Sequence, residues 1–278
     1  MSMLMRKLLK PQGNLILKSF SSQAKSVEVQ QNDTGVTIVS MARAPVNSLN
    51  LEFLTELTTT LNEVKKQKTK GIVLTSSLPT IFSAGLDIME MYKPDISRCT
   101  QFWTTLQDFW LTLYGLEIPI AAAINGASPA GGCLTAISCE YRVLVDGKHT
   151  IGLNETKLGI VAPKWFQDAF ISTIGYRKAE LALLQGTLFS AQESLSIGLV
   201  DELATDKADA IAKCEKYINS FAKIPGGGRT ATKLGLRNNA LTWLKNNREK
   251  DTEIFINFVK SPKVQAGLEL YLQSLKKK

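Results

Sequence analysis

Two patterns of apolar and polar residues alternate along this chain. Short apolar runs of about five residues predict buried strands, and longer stretches with an apolar residue at every third or fourth position predict amphipathic helices. The first two strands flank a turn at residues 32–35 and form a β-hairpin, whereas helices separate the later strands. We predict strands at 27–31, 36–41, 71–75, 120–124, 141–145 and 199–202, with a short extended segment at 150–153.

Helices alternate with strands in the first half of the chain and predominate in the second half. The alternation favours right-handed crossover connections and a mostly parallel sheet, so the predicted fold class is α/β. Residues 225–228, Pro-Gly-Gly-Gly, predict a hinge between a core at 27–222 and a helical C-terminal region at 223–278. Helices are predicted at 51–68, 96–116, 131–138, 165–174, 177–185, 191–197, 208–221, 230–244 and 251–259, with a last helix from Pro262.

The composition is that of a globular protein. Apolar residues make up 44% of the 278 positions and charged residues 21%. No apolar run approaches the ~20 residues that cross a bilayer, so we expect no membrane span. The four cysteines form no Cys-x-x-Cys pair, which favours buried, reduced thiols over disulfides or a metal site. The single histidine, His149, has no accompanying Gly-x-Ser-x-Gly motif and is interpreted as a polar residue near a strand.

The net charge of +8 is concentrated at the N-terminus. Residues 1–27 contain five Lys or Arg and no acid, interspersed with Leu, Met and Ser. This composition predicts a mitochondrial transit peptide at 1–26, cleaved between about Phe20 and Ser26. A secretory signal fits less well because Pro11, Gly13 and Lys18 interrupt its apolar core. The C-terminal Lys-Lys-Lys is not the peroxisomal Ser-Lys-Leu signal, so we expect the mitochondrial matrix.

Two glycine-bearing turns, at 82–87 and 125–132, carry the main functional signal. Each follows a predicted buried strand and precedes a segment that can begin a helix, where backbone N–H groups lack intrahelical partners. One such turn alone is more often structural, but two that converge would present two N–H donors to one oxygen, as an oxyanion hole does. Neither turn has the Gly-x-Gly-x-x-Gly or P-loop pattern. The turns therefore predict acyl chemistry.

Four motifs, at 45–49, 82–87, 129–134 and 152–156, resemble in type and order those of the crotonase (enoyl-CoA hydratase/isomerase) superfamily, and within it those of the isomerase branch. The resemblance extends from about Val27 to the C-terminus. It implies a crotonase-like spiral of ββα units with a C-terminal helical region that forms a homotrimer. It also implies that the substrate is an acyl-CoA.

The resemblance assigns roles to individual residues. The thioester oxygen would lie between the backbone N–H groups of Leu86 and Gly131, and Glu155 would be the catalytic base. The apolar neighbours of Glu155 predict that it is buried, and burial would raise its pKa towards the working pH. The substrate-binding residues implied are Ala84, Gly85, Leu86, Asp87 and Ile88 along the CoA moiety, Gly131 at the thioester, and Asn154 in the acyl pocket.

Leu134 decides between the reactions of the superfamily. The resembling hydratases have a second glutamate at this position, where leucine can neither activate water nor transfer a proton. A single carboxylate predicts isomerisation of a 3-enoyl-CoA to the 2-trans isomer in β-oxidation of unsaturated acyl chains, with Glu155 moving the proton from C2 to C4. This reaction needs no metal and no cofactor, because coenzyme A is part of the substrate.

Other polar and aromatic residues are expected to be structural. Asp87 is predicted to bind backbone amides in its turn, and Glu140 to be a surface or ion-paired residue. Trp103, Phe109 and Trp110 have helical spacing and are expected in the core, where some of them also shape the acyl tunnel.

Three alternatives stay open at this point. One is other crotonase chemistry, hydration or thioester hydrolysis, although Leu134 disfavours hydration. Another is an RNA-binding crotonase-like protein, because residues 65–70 form a basic cluster. That cluster is better explained by lysines at a helix C-terminus, and no aromatic residues interleave with it, so no nucleic acid is expected. A catalytically inactive scaffold is the third, but Glu155 and both turns are intact.

Overall fold

The computed structural model describes residues 25–276, so all but the last two positions of the predicted transit peptide lie outside the described residues. One sheet has the order β1-β2-β3-β4-β6-β8, in which only β1 and β2 are antiparallel, and β5 and β7 form a second parallel pair. The predicted α/β class is confirmed. The strands are β1 Val27–Gln31, β2 Thr37–Met41, β3 Ile72–Ser76, β4 Ile120–Ile124, β5 Ser128–Pro129, β6 Tyr141–Val145, β7 Ile151–Gly152 and β8 Glu202–Ala204.

The helices begin and end close to their predicted positions through α7. In the first of them Asn50 accepts a hydrogen bond from Phe53 N, and Leu54, Leu57 and Leu61 lie buried on one face. The helices are α1 Leu51–Lys66, α2 Ile96–Tyr114, α3 Gly131–Ser138, α4 Lys164–Ile174, α5 Tyr176–Gln185, α6 Ala191–Ser196, α7 Lys207–Asn219, α8 Gly226–Val259 and α9 Pro262–Lys276. Short 3₁₀ turns occur at Ile88–Glu90, Glu155–Leu158 and Ser220–Lys223.

The predicted hinge at 225–228 is wrong. Pro225 precedes α8, and the three glycines form the first turn of this helix, which continues to Val259 with one non-helical residue, Asn247. Tertiary contacts outweigh the low helix propensity of glycine. Lys233 binds Glu140 and the carbonyl of Leu116, and Arg237 donates to the carbonyls of Tyr114 and Ser138. The start of α8 is therefore fixed to the ends of α2 and α3.

Glu140 and the cysteines behave as expected. Glu140 forms ion pairs with Arg229 and Lys233, and all four cysteines are buried and free. Strand β8 begins three residues later than predicted, because the buried Leu199 and Val200 pack in the core as part of a loop.

Helices cover both faces of the main sheet. Ile72 and Leu74 of β3 point into the larger core, with α1 and α2, whereas Val73 points to the opposite side, where Cys214 and Ile218 of α7 pack. Burial on both faces explains why the parallel strands appear in the sequence as continuous apolar runs.

The chain spirals through three similar ββα turns that position the site. Each turn has a long strand in the main sheet (β3, β4, β6), a short extended segment in a second layer, and a helix (α2, α3, α4). The short segments lie side by side, since Ile81 pairs with Ala127 and Ser128 pairs with Ile151, both in parallel. Residues that follow these segments in successive turns are thereby brought together.

Candidate active site

The first turn directs one backbone N–H away from its pairing partner. Leu49 N donates to Gly85 O at 2.8 Å, and Asp87 N donates to Leu49 O at 3.0 Å. In an extended chain successive residues point their N–H groups to opposite sides, so the N–H of Leu86 faces away from Leu49. The hydroxyl of Ser83 accepts from Gly85 N at 3.1 Å and donates to Asn47 O at 2.8 Å, which holds the turn in place.

The second turn presents another backbone N–H at the start of α3. Gly131 is the first residue of this helix, so its N–H has no acceptor one turn earlier. Ala130 precedes it with a φ of +49°, a value that costs energy for a residue with a side chain. The N–H of Ala130 donates to Gly152 O at 2.8 Å, a bond that holds this strained residue in position.

The two turns are in contact. A methyl group at Gly85 would lie 2.9 Å from Gly131 N, and one at Gly131 would lie 3.2 Å from Leu86 N. Within residues 25–276, neither Leu86 N nor Gly131 N donates to a protein acceptor. The two turns therefore meet, as an oxyanion hole requires, and Leu86 N and Gly131 N are neighbouring donors.

Glu155 supplies a buried carboxyl group in the third ββα turn. It begins the 3₁₀ turn after β7 and is only 8% exposed. In the described part of the chain both of its carboxylate oxygens, and Oδ1 of the neighbouring Asn154, have no hydrogen-bond partner. Burial raises the pKa of Glu155 to about 7. A buried acid without partners is rare in a purely structural role, which makes it a candidate for proton transfer.

We predict that Glu155 makes folding stability fall as pH rises. The folded pKa of about 7 lies above the ordinary value of 4.5, so between these values the folded state holds a proton that the unfolded state has lost. Above pH 7 the loss of folding free energy caused by Glu155 reaches about 3 kcal/mol. Urea unfolding of wild type and Glu155→Gln at pH 4 and pH 8 measures it. The free energy of unfolding of the variant minus that of wild type should be larger at pH 8 than at pH 4 by about this amount. An equal difference at both pH values would contradict the assignment.

A cavity joins Glu155 to the first and second turns. Its lining is apolar except for Asn154, Glu155 and Tyr271, and Glu155 is its only carboxylate among residues 25–276. The cavity, called the Glu155 cavity below, is lined by Ala84, Leu86, Ile88, Met91, Trp103, Pro129, Ala130, Asn154, Glu155, Leu158, Ile160, Val161, Pro163, Phe166, Phe255 and Tyr271.

Most of the residues predicted for the site come together here. Ala84, Leu86, Ile88, Asn154 and Glu155 line the Glu155 cavity, and Gly85 and Gly131 contact each other at its edge. Asp87 does not line it. As predicted, the Asp87 carboxylate binds a backbone amide, that of Met89, and it also binds Arg43 at 3.2 Å.

Leu134 lies elsewhere than the sequence led us to expect. It is 1% exposed in α3, packs in the core and is not part of the cavity lining. The apolar wall that we attributed to it is formed by other residues, including Leu86, Trp103 and Phe166.

The C-terminal helices contribute residues to the site that the sequence did not predict. Phe255 of α8 and Tyr271 of α9 line the Glu155 cavity, as do Met91 and Phe166. No local pattern distinguishes these residues from ordinary core positions, and only the packing of α8 and α9 against the spiral brings Phe255 and Tyr271 to the site.

The chain resembles known proteins along almost its whole length. A family model described as enoyl-CoA hydratase/isomerase matches residues 31–278. Enoyl-CoA delta isomerase 1, mitochondrial, of Mus musculus is 43% identical over 263 residues, covering 94% of this chain and 90% of the mouse protein. The protein of the same name from Homo sapiens is 40% identical over 261 residues, covering 93% and 86%.

The chain is also similar to solved structures. The crystal structure of human mitochondrial delta3-delta2-enoyl-CoA isomerase has a TM-score of 0.88 at 39% identity, covering 91% of this chain and 99% of that one. An enoyl-CoA hydratase from Bacillus halodurans has a TM-score of 0.80 at 21% identity, covering 88% and 100%, and shares the fold. The expected crotonase-like spiral with a helical C-terminal region is confirmed.

Proposed function

This chain belongs to the enoyl-CoA hydratase/isomerase family, and we propose that it is an enoyl-CoA delta isomerase that converts 3-enoyl-CoA to 2-trans-enoyl-CoA in fatty-acid oxidation. One observation carries the proposal. A buried, unpartnered carboxyl group with a pKa of about 7 borders an apolar cavity, beside two backbone N–H donors and with no second carboxylate in the described lining.

The proposed mechanism moves one proton. The Glu155 carboxylate removes a proton from C2, the electron pair spreads to the thioester oxygen, and the N–H groups of Leu86 and Gly131 stabilise the resulting dienolate charge. The carboxylic acid thus formed returns the proton to C4, and the double bond moves into conjugation. A pKa near the working pH suits a group that must act as base and then as acid.

The proposed reaction needs no further component. Proton transfer within one substrate involves no change in oxidation state, so we propose that no cofactor or metal takes part beyond the coenzyme A of the substrate. Among residues 25–276, no cluster of three or more His, Cys, Asp or Glu has the geometry to hold a metal ion, and no helix is long and apolar enough to cross a membrane.

The relatives are named as mitochondrial, which supports a mitochondrial location for this chain. The basic N-terminal residues support the finer proposal, the matrix. Lys65 and Lys66 lie in the last turn of α1, and Lys65 pairs with Glu117 at 3.2 Å. This placement supports their structural role over RNA binding, and the absence of nucleic-acid partners stays a prediction.

We also propose a homotrimer. Large apolar side chains are exposed on the C-terminal helices, with Leu236 of α8 83% and Leu270 of α9 67% exposed. Contact with other copies of the chain would cover such residues. Light scattering on the eluting peak of a sizing column should give three times the mass of one chain, and the mass of a single chain would contradict the proposal.

Conversion of 3-hexenoyl-CoA tests the proposed function. The purified protein should produce the conjugated thioester, seen as rising ultraviolet absorbance, and label at C2 should reach C4 when the substrate is deuterated at C2. Label at C4 follows from a single base in a buried cavity. Hydration of 2-hexenoyl-CoA should be much slower, because no second carboxylate borders the described cavity. A protein that hydrates faster than it isomerises would contradict the proposal.

A further inference from the structure

We propose that the stacked rings of Trp103 and Phe255 close the inner end of the Glu155 cavity and limit the length of the acyl chain, and that Asp251 is a positioning residue for Trp103. This inference rests on the proposed function, because it concerns the acyl group of that substrate.

The lining of the cavity runs from an exposed rim to a buried end. Val161, at the rim, is 59% exposed, whereas Trp103 is 3% and Phe255 is 7% exposed. Met91, at 3%, and Phe166, at 1% exposed, also belong to the buried end. The cavity volume is about 80 Å³. Since a water molecule takes about 30 Å³ in the liquid, the cavity has room for only a few methylene groups.

Two rings from different helices form the wall. Trp103 of α2 and Phe255 of α8 stack with their ring centroids 3.6 Å apart and their planes 9° apart. Trp165 of α4 packs against Trp103 edge-on, at 6.0 Å and 64°. A ring held on one face and at one edge cannot rotate to admit a longer chain without breaking these contacts.

A buried carboxylate behind the wall fixes the orientation of Trp103. Oδ2 of Asp251, a residue only 7% exposed, accepts hydrogen bonds from Trp103 Nε1 at 2.7 Å, Gln107 Nε2 at 2.9 Å and Trp165 Nε1 at 3.3 Å. A buried carboxylate requires such donors, and its position therefore determines that of the indole. Asp251 itself does not line the cavity, so its effect on the substrate passes through Trp103.

The ratio of kcat/KM for 3-dodecenoyl-CoA to that for 3-hexenoyl-CoA tests whether Trp103 and Phe255 limit the length of the acyl chain. Wild type should prefer the shorter substrate. Phe255→Ala should raise the ratio by about tenfold or more, since one methylene admitted to a pocket is worth at least about tenfold in kcat/KM. Phe255→Leu, a smaller change, should raise it less and serves if the alanine variant does not fold. Circular dichroism and thermal unfolding verify that each variant is folded.

Trp165→Phe is the matched control. It removes one donor from the same carboxylate but keeps an aromatic ring beside Trp103, and Trp165 does not line the cavity, so the ratio should stay at the wild-type value. Asp251→Asn retains an acceptor oxygen and should also stay close to wild type. Asp251→Leu leaves Trp103 Nε1 without its partner and should raise the ratio.

The outcomes distinguish a failure of the proposed aromatic wall from a failure of the proposed function. An unchanged ratio in folded Phe255→Ala, or an equal change in Trp165→Phe, would overturn the wall while wild type still isomerises both substrates. A change in the ratio on Leu184→Lys alone would also overturn it, because it would place the chain in the groove between α4 and α5, which borders Glu155 as well. A wild type that isomerises neither substrate would overturn the proposed function itself.

Discussion

Glu155→Gln is expected to lower kcat by at least about 10³-fold. General acid–base catalysis contributes about 10²- to 10⁴-fold, and here one group both removes and returns the proton. The amide has nearly the same shape as the carboxyl group and cannot accept the C2 proton at neutral pH. Steady-state conversion of 3-hexenoyl-CoA measures the loss. The KM should change little, because CoA binding does not depend on this proton.

The pH profile of wild type provides a second measure of the same group. The value of kcat/KM should rise with pH through about 7, because the buried carboxyl group must lose its proton before it can act as a base. Glu180→Gln is the control, since Glu180 borders the neighbouring groove, pairs with Arg177 and should leave rate and profile unchanged. Full activity in folded Glu155→Gln would show that another group is the base.

Gly85→Ala is expected to lower kcat by about 10²- to 10³-fold, the loss typical of removing one oxyanion donor. Gly85 has a φ of +87°, and its added methyl group would lie 2.9 Å from Gly131 N and 3.1 Å from Pro129 O. These are backbone atoms and cannot rotate away, so the two turns must separate. The N–H groups of Leu86 and Gly131 would then no longer point at one oxygen. Kinetics with 3-hexenoyl-CoA and thermal unfolding measure the two consequences.

Gly198→Ala separates this geometric effect from backbone strain. Gly198 has a similar φ of +78°, but a methyl group there meets nothing within 4 Å. Both variants should lose about 1–2 kcal/mol of stability from the left-handed conformation, and only Gly85→Ala should lose catalysis. Equal activity in the two folded variants would contradict the donor pair at Leu86 and Gly131.

Local sequence patterns predicted a helix or strand correctly wherever that element depends mainly on its own residues. Asn50 followed by a leucine face placed α1 within two residues of its observed end, and the apolar run at 120–124 placed β4 at its observed bounds. The prediction was wrong where distant contacts decide. Glycines 226–228 are helical because Lys233 and Arg237 fix α8 to the ends of α2 and α3.

The candidate site was likewise predicted only in part from local sequence patterns. The motifs predicted roles for Leu86, Gly131 and Glu155, and the apolar neighbours of Glu155 correctly indicated its burial. Leu134 leaves no second acid at that position, but the apolar wall predicted there is made by other residues. Phe255, Tyr271 and the Asp251 contacts had no sequence signal, because they depend on residues of α8 and α9 that lie more than 90 positions after Glu155 in the chain.

The sequence by itself determined the α/β alternation, the two glycine turns and the choice of Glu155 as the proposed base, because these depend on periodicity, chain flexibility and residue chemistry within short segments. Only the tertiary structure decided that the three groups meet. The short second-layer segments stack side by side, which places residues of successive ββα turns next to one another. Burial within the folded chain then decided the pKa of Glu155, since desolvation depends on what surrounds a group in space. The packing of α8 against α2 decided the inner wall of its cavity.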